Sequence, residues 1–325
     1  MNKFLSTLLK ISGLFLLIGL FCLAFGLSQS PVKAFKDLAL KRAHNKGQVH
    51  KVFSSIDEVE IDLKERQVYI EESKDASVHV YYQDIDPHVD FKQEGKALVM
   101  TDREKEDTHH GFPDIEIHTP LPFLLKKIAK QEQAIRIQVP KNLPRLKLQV
   151  ADNYNKLEGL QIDQLEVNAD GFMAHINIRE STFKKTNLKG LGTIWYFQGR
   201  QEGLVVDPNF SGNLVFEKTT LANSTFTLKN YATVHLVKIE GKVEVNLQYH
   251  DSFFSFDEAQ KDQLAIKVDQ KEGTVLSESI SFQKVGDKQT IYEPKDKQAS
   301  FILHQDDGQV RVEFGDTRNI YITED

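Results

Sequence analysis

Leu165-Glu166-Val167, Ile176-Asn177-Ile178, Thr193-Ile194-Trp195-Tyr196-Phe197, Leu214-Val215-Phe216, Phe226-Thr227-Leu228, Val234-His235-Leu236, Val243-Glu244-Val245-Asn246-Leu247 and Leu264-Ala265-Ile266-Lys267-Val268 recur every ~8–12 residues. Apolar residues alternate within these segments, and a period of two places one side of an extended chain in a core. Gly, Asn, Asp and Lys stand between them, as turn chemistry requires. Working outward, the same alternation appears upstream in Val59 to Leu63, Val68 to Ile70, Val78 to Tyr81, Leu98 to Met100, Ile135 to Val139 and Leu146 to Val150. It reappears downstream in Val310 to Phe314.

The fold class is therefore all-β. A single sandwich closes with about seven to nine strands, fewer than this series supplies. Two architectures remain. A parallel β-solenoid, a single-stranded β-helix-like rod, needs only short inward-facing triplets and polar corners, with roughly 20 residues per coil. Residues 146–282 fit that description well. Tandem β-sandwiches are the alternative.

With 325 residues, 40% of them hydrophobic, the chain can bury a substantial core. Its one cysteine, Cys22, lies in the N-terminal apolar stretch, which excludes a disulfide-stapled body and a cysteine nucleophile within it. The net charge of -6 hides an asymmetry. Lys3, Lys10, Lys33, Lys36, Lys41, Arg42 and Lys46 face a single acid, Asp37, in residues 1–46, so the rest is markedly acidic. An acidic body without a basic, aromatic-interleaved stripe repels phosphate backbones, so nucleic acid is not a partner.

From Ile11 to Leu27 every residue is apolar, Gly or Ser. With Phe4, Leu5, Leu8 and Leu9 ahead of Lys10, the stretch reaches the ~20 residues of a membrane span. A cleaved signal peptide has a shorter apolar region, about 7–15 residues, and here Pro31 would follow the cut after Ser28-Gln29-Ser30. The reading is a transmembrane anchor over 1–30 with a short cytoplasmic N-terminus, a basic juxtamembrane linker over 31–51 and a β-solenoid domain over 52–325. The protein is then single-pass in the cell membrane with its soluble domain extracytoplasmic. Lys3 and Lys10 favour that orientation; Lys33 to Lys51 oppose it.

A loop-helix insertion interrupts the strands at 101–134. Thr101 to Asp114 is charged and histidine-rich. After Thr119-Pro120-Leu121-Pro122, the run Phe123 to Lys130 has helical spacing. It reads as an apolar face packed on the rod or as a basic amphipathic helix against a membrane or partner.

Three stretches carry a resemblance: Val52-Phe53-Ser54-Ser55-Ile56-Asp57-Glu58-Val59-Glu60-Ile61-Asp62-Leu63, Ile135 to Pro140, and Gly308-Gln309-Val310-Arg311-Val312-Glu313-Phe314. Over about residues 53–314 the chain resembles the bacterial putative-adhesin domain of unknown function, as in LiaG-type membrane-anchored proteins of Gram-positive envelope-stress operons. The resemblance implies an anchor, an exterior solenoid and a role in envelope stress or surface adhesion. It carries over no catalytic residues.

The densest ligand-type cluster is His109, His110, Asp114, Glu116 and His118, with Glu104, Glu106 and Asp107 upstream. Imidazole and carboxylate suit zinc or manganese, but the spacing matches no named metal motif and also describes a solvated loop. Asp84, Asp86 and Asp90, and Asp306-Asp307, are the carboxylate groups a β-helix glycan enzyme would use. Gly308 after Asp307 marks a turn instead. HExxH, GxSxG, GxxxxGK[ST] and CxxC are all absent. No catalytic residue and no cofactor are expected. In Trp195-Tyr196-Phe197 and Phe253-Phe254-Ser255-Phe256 both parities are apolar, so part of each must face outward.

The function expected is a non-enzymatic, membrane-anchored cell-surface protein presenting an interaction surface. Its partners are the membrane through residues 11–27 and a wall polymer, a host glycan or a membrane sensor protein. A β-helix carbohydrate-active enzyme is the alternative.

Overall fold

The computed structural model describes residues 48–64, 66–83, 88–102, 134–151, 153–229, 232–247 and 252–316. The chain divides into two compact units, Met1–Gln48 with Ile115–Glu132 and Val49–Asp114 with Gln133–Asp325. Apart from Gln48, the first unit lies outside the described residues, as do the expected anchor over 11–27 and nearly all of the 101–134 insertion. Among the described residues no helix is long and apolar enough to cross a membrane. They are almost entirely strand, with one 3-10 turn at Glu258–Gln260. Both architectures expected from the sequence are all-β, and so is the structure.

The strands form two files. The first runs through β5 (Val89–Glu94), β6 (Ala97–Asp102), β2 (Glu58–Asp62), β8 (Leu143–Val150) and the first halves of β10 (Gln161–Arg179) and β11 (Thr182–Glu202). It continues with β12 (Leu204–Val206), the second halves of β13 (Asn213–Leu228) and β14 (Ala232–Leu247), then β20 (Ala299–Gln305), β16 (Leu264–Gln270), β19 (Gln289–Tyr292) and β18 (Gln283–Val285). The second file runs through β1 (Gln48–Ser54), β4 (Ser77–Gln83), β7 (Ile135–Val139), β3 (Val68–Glu72) and β9 (Tyr154–Glu158). It continues with the second halves of β10 and β11, the first halves of β13 and β14, then β15 (Ser252–Phe256), β21 (Gln309–Phe314) and β17 (Thr274–Leu276).

The interior of both files is parallel. Ile162 lies beside Phe183, Ile194 beside Leu214 and Thr233 beside Phe253, so a position returns to its column every ~20 residues. Chain order is broken near both ends. β2 and β3 lie between the later pairs β6/β7 and β8/β9, and β20 and β21 lie between the earlier pairs β14/β15 and β16/β17. Antiparallel strands then cover the file ends: β5 on β6, β4 on β7, β19 on β16. Such covering withholds unpaired N–H and C=O groups from edge-to-edge association.

Alternation builds the core. β4 and β20 bury every second residue, and Met100, Ile61, Leu148, Val167 and Leu188 stack in one in-register column of buried side chains. A buried Val or Leu contributes about 1.5–3 kcal/mol relative to exposure. Some of the buried polar residues stand where the chain bends, and there they satisfy backbone groups. Ser181 Oγ accepts from Leu160 N (3.1 Å) and donates to Arg179 O (2.7 Å); Ser224 Oγ repeats this with Leu204 N (3.1 Å) and Ala222 O (2.8 Å). The same bends use left-handed backbone. Gly159, Glu180, Gln198, Lys218 and Leu236, each following an in-register partner, have φ from +49° to +67°. Four of the five carry side chains there, at about 1 kcal/mol each or more, so register and packing fix this bend rather than local preference.

Strand β1 begins at Gln48, inside the stretch read as linker, and β6 holds Thr101 and Asp102, the first residues assigned to the insertion.

Candidate functional site

The outward side of the second file, over β9, β10 and β11, is aromatic. Strand alternation turns Tyr196 inward, where it is buried against Phe216 (ring centroids 5.0 Å apart), and turns Trp195 outward, 42% exposed. Trp195 meets His175, centroid to centroid 5.4 Å, and His175 stacks on Tyr154 at 5.2 Å with the planes 17° apart. Tyr154 is itself 39% exposed. Three neighbouring strands thus contribute one ring each to a ladder: Tyr154 and His175 are in register on strands ~4.8 Å apart, and Trp195, in register with Asn177, reaches His175 diagonally.

Electrostatics fit that use. Burial pushes the His175 imidazole below its usual pKa, so the ring is neutral and stacks as an aromatic rather than as a cation. Burial raises the Tyr69 phenol, and the nearby Tyr154 adds to the shift while Lys156 opposes it. The Tyr69 hydroxyl donates to Gln67 Oε1 at 3.0 Å. Beside the ladder, Arg179 lies 4.9 Å from the Phe197 ring, and along the row of Trp195 come Val215, Thr233 and half-buried Phe253. These rings, with Lys156 and Asn177 in register beside them, form a stepped aromatic surface, the Trp195 ring tilted 50° to His175, that offers apolar area for stacking and polar groups at its rim.

The first file's outward side differs. Glu58 bridges Arg145 (3.5 Å) and Lys147 (2.6 Å), and Arg145 reaches Glu166 (2.5 Å). The Lys147 hydrogen bond holds the Glu58 carboxyl below its usual range against the opposing effect of burial. Such half-exposed pairs contribute roughly 0–1 kcal/mol each. They leave a solvated, mutually paired surface.

Of the residues singled out in the sequence, His109, His110, Asp114, Glu116 and His118 lie outside the described residues, as do Glu104, Glu106, Asp107, Asp84 and Asp86. Asp90 is exposed on β5. Asp307 Oδ1 accepts from Gly308 N (2.6 Å), and Gly308 has φ +106°, so the Asp306-Asp307 pair sits on the turn its glycine marked. Among the described residues no group of three or more His, Cys, Asp or Glu is arranged to hold a metal ion. The aromatic runs divide as their parity requires: Tyr196, Phe254 and Phe256 go in, Trp195 goes out, and Phe197 and Phe253 are half-buried. Tyr154 and His175 were missed, being lone rings in separate segments whose meeting depends on register.

No family model matches the chain, and no curated protein matches it. Among solved structures it is similar to a cell adhesion protein of Clostridium sporogenes described as "putative" (10% identity, 83% of this chain, 99% of that one, TM-score 0.23). It is similar also to a "putative adhesin" of Bacteroides fragilis (9%, 83% and 98%, TM-score 0.32) and a "putative lipid binding protein" of Parabacteroides distasonis (13%, 84% and 98%, TM-score 0.34). At these values the likenesses transfer no residue role and no ligand.

Proposed function

We propose that this chain is a non-enzymatic, cell-surface interaction protein whose exposed aromatic ladder, Tyr154–His175–Trp195, docks a glycan of the wall or of a host. The observation that carries the proposal is the ladder itself: contacting rings at the surface, turned away from a core that is complete without them. Pyranose rings present apolar faces with hydroxyls at the rim, which such a surface matches. On this reading the parallel, ~20-residue return of register belongs to a β-solenoid rather than to tandem sandwiches. The apolar stretch Ile11 to Leu27 tethers it to the membrane with the body outside, in a role in adhesion or envelope stress.

The test is co-sedimentation of the full chain with purified wall polysaccharide. Retention without release of oligosaccharide, weakened in Trp195→Ala, is the expected result. Equal retention of Trp195→Ala would overturn the ladder reading, and release of oligosaccharide would replace it with the carbohydrate-active enzyme.

A further inference from the structure

A concavity of about 740 Å³ opens on the first file near its C-terminal end. Its floor is the outward side of β13, β14, β20 and β16, where register aligns Thr227, Asn246, His304 and Asp269 in one row that continues to Gln289 on β19. Its wall is the turn between β18 and β19, Val285 to Gln289, bent at Gly286 with φ +69°. Lys271 and Asp306 close the third side, 2.7 Å apart.

The floor is rigidly pre-bonded. His304 Nδ1 is 3.1 Å from Asp269 Oδ2 and its Nε2 is 3.4 Å from Glu244 Oε1. Gln289 Nε2 donates to Asp269 Oδ1 (2.8 Å), and Asn246 Nδ2 donates to Thr227 Oγ1 (3.4 Å). One row thus presents hydroxyl, amide, imidazole, carboxylate and amide in succession, at the ~4.8 Å strand spacing. The amides, the Thr227 hydroxyl and the Asp269 carboxylate keep further hydrogen-bonding capacity, since an amide has four sites and a carboxylate about four, whereas both His304 nitrogens are already engaged.

The lining decides the ligand class. Among the described lining residues only Leu247 and Val285 are apolar, and Leu247 is buried, so an acyl chain finds no continuous apolar wall. Charges cancel: Asp269 is met by Lys267 at 3.0 Å, Asp306 by Lys271, and Asp287 adjoins Lys288 on the wall. A polyanion finds no cationic excess and a polycation no acidic one. What fits alternating donors and acceptors without net charge is a ligand whose own groups both donate and accept. We infer that this groove is a binding site for a neutral, hydroxyl-rich saccharide, separate from the aromatic ladder and independent of the function proposed for it.

The test is saturation-transfer NMR on the full chain with N,N′-diacetylchitobiose and maltotriose as neutral probes, tripolyphosphate and octanoate as the charged and apolar ones. A neutral saccharide is expected to bind. Asn246→Ala on the floor and Lys288→Ala on the exposed wall should each weaken it by about tenfold, the upper range for one hydrogen bond. Lys288 lies on a solvent-exposed turn, so its variant keeps the fold. Trp195→Ala should leave this binding unchanged. The inference falls if no neutral saccharide binds, if only tripolyphosphate or octanoate does, or if binding is lost in Trp195→Ala and kept in both groove variants. That last outcome would leave the ladder reading standing.

Discussion

The aromatic ladder over β9 to β11 and the polar groove over β14, β20 and β16 are built by one rule and differ only in what faces out. Inward, both regions stack large apolar residues in register: Tyr196 on Phe216 beneath the ladder, Phe301 against Phe254 and Phe256 (5.2 and 5.0 Å) near the groove floor. Outward, the first region has rings and the second has hydroxyl, amide, imidazole and carboxylate. The inward positions therefore hold the fold and the outward ones are free to specialise, side by side on the same backbone.

The largest effects test whether the two interiors are equivalent. Phe216→Ala and Phe301→Ala each empty a fully buried site, and both should destabilise by about 3–5 kcal/mol in urea titration. A cost below ~1 kcal/mol at one site alone would show that its half of the core is dispensable. Next come two glycines. A Cβ at Gly190, at φ +90°, would lie 1.8 Å from the Ala169 carbonyl oxygen of the adjacent strand, so Gly190→Ala forces β10 and β11 apart just before the half of β11 that carries the ladder. Gly286, at φ +69° on the groove wall, has nothing within 4 Å of that position. The expected losses are about 3 kcal/mol or more against about 1, the latter from φ alone. Equal losses would break the contrast between a tightly stacked face and an open turn. Trp195→Ala removes one ring pair and should cost roughly 0.5–1 kcal/mol of stability while it weakens retention on polysaccharide.

What was legible in the sequence follows the same division. Inward positions announce themselves locally, because a buried face forces alternation, and segments such as Ile135 to Val139 and Leu264 to Val268 sit in strands as read. Triplets such as Leu165 to Val167 and Ile176 to Ile178 fuse into one long strand, β10, because its pairing with β11 resumes after a register shift between Asp170 and His175. The insertion of β2/β3 and of β20/β21 between other pairs was illegible: alternation fixes which side a residue faces, not which strand lies next to it. The groove depends on that placement, as His304 reaches Asp269 and Glu244 only because β20 lies between β16 and β14. The ladder was half legible, through the crowding of rings at Trp195-Tyr196-Phe197, while its other two rings came from register alone.

The smallest expected effect concerns proton uptake, and it separates the regions again. In the ladder, burial lowers the His175 pKa below the ~6.5 of an unfolded histidine. Between that lowered value and ~6.5 the unfolded chain binds the proton that the folded chain refuses, so stability falls as pH drops through this window and is unaffected above it. In the groove, Asp269 titrates below its ordinary range: burial opposes the shift, but hydrogen bonds from Gln289 and Lys267 and the charges of Lys267 and His304 prevail. Its contribution is fully present above an unfolded carboxylate's ~3.9 and is lost only as pH falls below that. Lowering pH from 7 to 5 should therefore destabilise the wild type slightly through His175 and leave the Asp269 contribution intact. Both groups are partly solvated, so the change is modest. Urea midpoints of wild type and His175→Gln across this range provide the measurement. A smaller acid loss in His175→Gln is expected; an identical loss would mean that His175 takes up its proton in place, and that the ladder's middle ring is a cation in mild acid.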